Sequence, residues 1–262
     1  MPKAKKSVGV RFLSLNCALW PCSGGSKSAT ARALEILRLA REYDVIAFQE
    51  VFRLGFACGA CGSWPDFFRE RLPGYTVVAE HGSRDRVFDI GLVIATRLPV
   101  RDEWIVPLRL TRGIWAFPLC CVRRFASLCV DLETEDGKHF TVANNHLVFD
   151  EGTTWWADPT ALRLEQLRDL SEALPRDRPW LCVGDFNLDG VASGEIAREI
   201  LHAKGISCPD KPMFNYTPSW AIHAPHHRQW ITDHVSACFI CCCFECLPAS
   251  SGVLICALRC RL

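Results

Sequence analysis

The stretch Leu181-Cys182-Val183-Gly184-Asp185-Phe186-Asn187 constrains the fold of this chain more than any other. Trp180 to Val183 is an apolar run too short for a helix and preceded by Pro179, which predicts an interior strand of a sheet covered on both faces. Gly184 allows a tight backbone exit, and Asp185 and Asn187, two apart, then point the same way if the extension continues. A carboxylate beside a carboxamide suits a divalent metal or a phosphoryl oxygen: the first is a hard ligand or a base, the second donates without adding charge. The same residue types punctuate turns, and on this stretch alone both readings stand.

The device recurs along the chain. Val8 to Asn16 reads as a strand delivering Asn16 at its C-terminal end, and Asp44 to Glu50 as a buried strand ending in Gln49-Glu50. Between them, Ala33, Leu34, Leu37 and Ala40 recur at helical spacing among Arg32, Glu35, Arg38 and Arg41, which predicts an amphipathic helix over 28–42. Asp66 to Leu72 reads as a short helix after a loop holding Cys58-x-x-Cys61. Tyr75 to Glu80, Asp89 to Thr96, Trp104 to Leu110, Phe125 to Glu133 and His139 to Leu147 read as strands, with Glu135-Asp136-Gly137-Lys138 as a hairpin turn. A second amphipathic helix over 160–174 starts after Asp158-Pro159, stops at Pro175 and leads into the Asp185 strand. This order fits an α/β sandwich of mixed sheets with a site along one edge.

Length and composition favour one large domain: 49% hydrophobic and 23% charged residues supply a substantial core, and no repeat or Ser/Pro-rich linker divides the chain. The formal net charge of +1 gives no overall basic field of the kind that gathers nucleic acid. Met1 to Ser7 is a short basic tail, and the apolar stretch after it is interrupted by Arg11 and Asn16, so neither a signal peptide nor a membrane span is expected. An intracellular protein, cytoplasmic or peripheral to a membrane, is the expectation, with its 16 cysteines as thiols.

Asn16, Glu50, His146, Asp185, Asn187 and the Asp233-His234 pair each sit at or near the end of an apolar run. Singly, each is more often structural. Together, carboxylates with an amide and few soft ligands describe a Mg2+ site rather than a zinc site, with Mn2+ as the alternative ion. A histidine near neutrality activates water and a second meets a developing phosphoryl oxyanion, so the implied chemistry is metal-assisted hydrolysis of a phosphate ester.

At these residues the chain resembles the endonuclease/exonuclease/phosphatase superfamily, the DNase I-like fold. The resemblance rests on Leu15-Asn16, Gln49-Glu50-Val51, Gly91-Leu92-Val93-Ile94-Ala95-Thr96-Arg97-Leu98-Pro99, Asn144-Asn145-His146-Leu147, Gly184-Asp185-Phe186-Asn187 and Thr232-Asp233-His234, in that order over about residues 8–235. It implies a four-layered α/β sandwich, two mixed sheets flanked by helices. It further implies a metal held chiefly by Glu50 and assisted by Asn16, His146 and Asn187 on the phosphate, Asp185 serving the metal or the attacking water, and His234 as general base. The Gln-Glu-Val-Phe form, the His of Asn-Asn-His-Leu, and Arg163 and Gln166 on the helix after Trp155-Trp156 look most like neutral sphingomyelinases and their phosphodiesterase relatives. A phospholipid is therefore the expected substrate and a membrane surface the expected partner. Nucleic acid or a phosphoinositide is the alternative, for which Arg84, Arg86, Arg123 and Arg124 are the candidate contacts.

The chain departs from the family pattern near its end. Relatives carry an Asp-bearing strand and, later, a terminal Ser-Asp-His; here only Ile231-Thr232-Asp233-His234-Val235 appears. Either His234 is the base and lacks its usual orienting group, with Asp210 as a weak substitute, or Asp233 is that orienting group and its histidine is lost, leaving an impaired binding member. The domain is read as residues 8–244, with Val235 to Phe244 as closing strand and 245–262 as a Cys-rich tail. Seven cysteines lie between Cys238 and Cys260, consistent with S-acylation, an altered reading frame or, last, zinc. The loop histidines His223, His226 and His227 read as surface residues.

Overall fold

A computed structural model describes residues 9–19, 27–53, 63–80, 89–109, 125–148, 158–175, 177–187, 242–244 and 256–261. Among the described residues, ten strands and three helices run in the order β1 (Gly9–Leu19), α1 (Lys27–Ala40), β2 (Val45–Val51), α2 (Trp64–Arg71), β3 (Thr76–Ala79), β4 (Val93–Thr96), β5 (Val100–Pro107), β6 (Ala126–Glu133), β7 (His139–His146), α3 (Pro159–Ala173), β8 (Trp180–Asp185), β9 (Cys242–Phe244) and β10 (Cys256–Arg261). One sheet has six strands in the order β3-β4-β2-β1-β10-β9, and the other four in the order β5-β6-β7-β8. Both are mixed: β1 and β2 run parallel, as do β7 and β8, while the remaining neighbours are antiparallel.

Alternation along the strands builds three apolar seams and hence four layers. Val10 and Phe12 of β1, Val45 and Ala47 of β2, Phe140 and Val142 of β7 and Leu181 and Val183 of β8 meet between the sheets. The intervening residues Leu13, Leu15, Ile46 and Phe48 face outward onto Ala29, Ala33, Ile36, Leu37 and Ala40 of α1 and Phe68 of α2. On the far side Cys129, Ala143 and Cys182 pack against Leu162, Leu167 and Leu170 of α3. Strands buried on both faces carry near-continuous apolar runs, which is why the Leu181 to Val183 stretch is so uniform.

Local chemistry sets the element ends. Ser63 caps α2, its Oγ accepting from Asp66 N at 3.3 Å, so the helix starts at Trp64 with Pro65 in its first turn rather than at Asp66. Asp158 caps α3 through Thr160 N at 2.9 Å, as its Asp-Pro start predicts. The hairpin after β6 closes with Gly137 N on Thr134 O at 2.9 Å. Two strand readings are corrected. Only Val93–Thr96 of the expected 89–96 strand joins the ladder, because Asp89 takes the Gly91 N–H on its own carboxylate at 3.1 Å. β5 occupies Val100–Pro107 rather than 104–110, since the chain reverses at Leu98-Pro99 and pairs with β6 at once. Beyond the expected domain boundary, β10 pairs antiparallel with β1 from Gly9↔Arg261 to Ser14↔Cys256.

Candidate active site

The apolar rows between the sheets turn polar at one end. In β1, Val10 and Phe12 are followed on the same face by Ser14 and Asn16; in β2, Val45 and Ala47 by Gln49; in β7, Phe140 and Val142 by Asn144 and His146; in β8, Leu181 and Val183 by Asp185. Because β1 runs parallel to β2 and β7 to β8, all four rows end on the same side of their sheets, with Asn16 beside Gln49 and His146 beside Asp185 in register. The two sheets face each other there, and the polar ends meet.

Asn16 is the link. Its Nδ2 donates to Glu50 Oε1 at 3.1 Å and across the sheets to Asp185 Oδ2 at 3.0 Å, while its Oδ1 accepts the Ala18 N–H at 3.1 Å. Only this amide orientation satisfies both ends, since the flipped group would oppose oxygen to two carboxylates. His146 Nε2 lies 3.9 Å from Glu50 Oε1 and 3.7 Å from Asp185 Oδ2. Asp185 Oδ1 accepts the Asn187 N–H at 3.0 Å, and Asn187 Nδ2 donates to Leu147 O at 3.0 Å. His146, Asp185 and Asn187 are buried; Glu50 is half-buried.

Backbone conformation aims these groups. Among the described residues the non-glycine residues with positive φ are Ala18 at 49°, Glu50 at 55° and Asn187 at 49°, all at this site. Next to Gln49 on a regular strand, Glu50 would face the helices; its left-handed conformation turns it toward Asn16. Gly184 has φ 136°, and a Cβ there would stand 2.0 Å from Asn145 O, so β7 and β8 approach closely only because residue 184 has no side chain.

Buried amides support the cluster from beneath. Gln49 Nε2 donates to Ser14 Oγ at 3.3 Å and Asn144 Oδ1 at 2.7 Å, and Asn144 Nδ2 to Phe48 O and Val93 O at 2.9 and 3.0 Å, tying the two sheets together one step below the carboxylates. Asn145 donates to Ala143 O and Val183 O at 2.9 and 3.0 Å and accepts from Ser127. Beyond His146, α3 holds both polar groups of Val148: Arg163 Nε donates to its carbonyl at 2.6 Å and Gln166 Oε1 accepts its N–H at 3.1 Å. Burial, with Glu50 adding to it and Arg32 opposing, pushes the Cys17 thiol well above its usual range, so it is an inert packing group. Just past the end of β2, where Asp89 Oδ1 accepts the Arg53 N–H at 3.0 Å, burial pushes Asp89 up to about 7, although the N–H groups of Arg53 and Gly91 pull the other way.

The donor set fits a hard divalent ion. Two carboxylates share one amide nitrogen and one imidazole nitrogen, a concentration of negative oxygen that such an ion neutralises. Among the described residues no group of three or more His, Cys, Asp and Glu side chains forms a metal cage. An ion of the Mg2+ class is commonly held by one or two carboxylates and completed by water and substrate. Glu50 and Asp185 would hold it; Asn16 orients them through its NH2 group, and its oxygen is committed to Ala18.

Asn16, Glu50, His146, Asp185 and Asn187 thus lie together at one end of the seam. Asp233 and His234 lie outside the described residues, as do Cys58, Cys61, Arg84, Arg86, Arg123, Arg124, Trp155, Trp156, Asp210, His223, His226, His227 and Cys238, Cys241 and Cys246. The supporting roles of Ala18, Gln49, Asn144 and Asn145 were not foreseen, although Gln49 and Asn144 stand inside the recognised motifs at the same alternation as the apolar rows.

Known proteins share this architecture. Sphingomyelinase C from Streptomyces griseocarneus superposes with a TM-score of 0.65 at 19% identity, over 88% of this chain and 84% of that one. Beta toxin from Staphylococcus aureus with bound magnesium ions gives 0.65 at 15% identity, over 96% and 98%. An endonuclease/exonuclease/phosphatase from Beutenbergia cavernae gives 0.66 at 18% identity, over 97% and 72%. At these identities the likeness is one of fold. No curated protein matches the chain by sequence. The model of the endonuclease/exonuclease/phosphatase family, however, matches residues 18–235, most of the chain, and on that match the chain belongs to this family of hydrolases.

Proposed function

We propose that this chain is a Mg2+-dependent phosphoric diester hydrolase acting on a phospholipid headgroup of the sphingomyelin type, with Mn2+ able to replace Mg2+. The observation that carries the hydrolase reading is the junction of Glu50, Asp185 and His146 around the Asn16 amide, where the seam between the sheets turns polar. The lipid reading is supported by the motif forms around Glu50 and His146, by the fold shared with sphingomyelinase C, and by a net charge of only +1. No described helix is long and apolar enough to cross a membrane.

In this reading Glu50 and Asp185 would hold the ion, which when bound would supply electrophilic stabilisation of charge on the phosphoryl oxygens. His146, buried between the two carboxylates, presents Nε2 where it donates to a phosphate oxygen. Asn187 keeps one N–H on Leu147 O and has a second for the phosphate. Asp185, fixed by Asn16 and by the Asn187 N–H, orients the attacking water, and His234 takes its proton.

The test is a substrate panel: sphingomyelin in detergent micelles, a phosphoinositide and an abasic-site DNA duplex, each with Mg2+ and with chelator. Release of phosphocholine that requires Mg2+ is expected. DNA nicking or phosphoinositide dephosphorylation without phosphocholine release would move the substrate to the alternative class. No turnover of any of the three, with substrate still bound, would identify an impaired member.

A further inference from the structure

We propose that Arg32 is a positioning residue of this centre, acting through the Ala18 carbonyl to lock the Asn16 amide between Glu50 and Asp185. The inference rests on the metal-dependent reading above. Arg32 lies in the outer helical layer on α1, beside the Ala29, Ala33, Ile36 face that packs on the sheet. Its Nη2 donates to Ala18 O at 2.6 Å, two residues along the chain from Asn16.

Ala18 is the point where β1 leaves its regular pairing. Asn16 pairs with Gln49, but the next pair is Leu19 with Val51, so β1 carries one more residue than β2 over this step. Such a bulge re-aims neighbouring side chains, and its extra residue often adopts a left-handed conformation that suits glycine. Here that residue is an alanine at φ 49°, which its own Cβ disfavours, so the conformation has to be held from outside.

One residue therefore has both of its backbone polar groups fixed, on either side of its Cα. The Ala18 carbonyl receives the Arg32 guanidinium, and the Ala18 N–H meets Asn16 Oδ1 at 3.1 Å. With Oδ1 fixed, Nδ2 is aimed at Glu50 Oε1 and Asp185 Oδ2 at 3.1 and 3.0 Å. Without Arg32 the Ala18 segment is free to relax out of the left-handed region. Its N–H then leaves Asn16, the amide turns, and the two carboxylates, one on each sheet, lose their shared donor. A charge-assisted hydrogen bond to a carbonyl is strong enough to oppose such relaxation.

The experiment is a double-mutant cycle between Arg32→Met and Ala18→Gly, read by calorimetric titration of the protein with Mg2+, by kcat and KM, and by melting in chelator. Arg32→Met keeps the apolar stem and removes the donor. It is expected to weaken Mg2+ binding by about 10- to 100-fold, as loss of an outer-shell partner does, and to lower kcat with KM unchanged. Glycine adopts the left-handed conformation without help, so Ala18→Gly is expected to restore much of the lost Mg2+ affinity in the Arg32→Met background, and Arg32→Lys to restore part of it. Equal losses on alanine and glycine backgrounds would overturn the proposal and leave Arg32 as packing. So would Arg32→Met binding Mg2+ like the wild type. Should Arg32→Met not fold, Arg32→Lys decides in its place: a partial loss of Mg2+ affinity that is smaller on the glycine than on the alanine background supports the proposal, and a loss equal on both backgrounds, or none, overturns it. A wild type that binds no Mg2+ would overturn the metal-dependent reading, and this inference with it; a wild type that binds and an uncoupled cycle overturn this inference alone.

Discussion

Replacing Gly184 by alanine strikes a close approach of β7 and β8 one pair away from Asp185 and His146. The new Cβ would stand 2.0 Å from Asn145 O and 2.7 Å from Asn145 N, both backbone atoms of the paired strand, so no side chain can swing away. The backbone conformation, φ 136°, adds a steric cost of about 1–2 kcal/mol for any L residue. Forcing a methyl into a packed ladder adds roughly 1–3 kcal/mol more. The sum, about 2–5 kcal/mol, corresponds to a fall in melting temperature of roughly 5–20 °C for a chain of this size. Activity should fall further than stability, because Asp185 is the next residue and a displacement of about 1 Å at a catalytic group costs on the order of 100-fold. Gly137→Ala is the control. Gly137 also has positive φ, 82°, but a Cβ there meets nothing within 4 Å, so it carries the conformational cost alone and leaves activity intact. Thermal melts and turnover of the two variants side by side decide the matter. A Gly184→Ala protein as stable as Gly137→Ala would refute the close-approach argument.

Further expectations follow from the same geometry. Asp89 has its carboxyl raised from 3.8 to about 7, so the folded state binds the extra proton and stability falls as pH rises through that window. At ~1.4 kcal/mol per unit the full effect is about 4 kcal/mol at most. Melting in chelator should therefore show wild type gaining stability from about pH 8 to about pH 5, and Asp89→Asn, permanently neutral, losing that dependence; parallel profiles would contradict it. Gln49→Leu strands Asn144 Oδ1 between the sheets and should cost about 1–3 kcal/mol in denaturant unfolding. The double variant Gln49→Leu/Asn144→Leu should cost less than the sum of the singles, and strict additivity would rule out the inter-sheet bond. Glu50→Gln keeps size and a hydrogen-bonding group but removes charge, so Mg2+ binding measured by calorimetry should fall by at least roughly 100-fold with the fold retained; undiminished binding would place the ion elsewhere.

Much of this arrangement is legible before folding. Apolar runs ending in Asn16, Gln49-Glu50, Asn144-Asn145-His146 and Asp185 follow the strand period of two, and the same alternation that buries Val10 and Phe12 carries Asn16 into the seam. The parts that escaped are those where the chain leaves its period. Glu50 reaches the site by a left-handed residue at a strand end, and Ala18 by a bulge; neither glutamate nor alanine advertises such a conformation. The starts of α2 and β4 depend on single hydrogen bonds accepted by the side chains of Ser63 and Asp89, which outweigh propensity locally. Arg32 read as one polar residue among several on an amphipathic helix, because a long side chain's target is set by tertiary placement and not by spacing.

The most direct measurement is phosphocholine release from sphingomyelin micelles by wild type and Asp185→Asn, with Mg2+ and with chelator, alongside their melting temperatures. The account predicts that wild type works only with Mg2+. It also predicts that Asp185→Asn, which keeps the backbone contact to Asn187 but not the charge, loses at least roughly 100-fold in rate at nearly unchanged stability. Chelator-resistant hydrolysis, or an Asp185→Asn protein as active as the wild type, would contradict it.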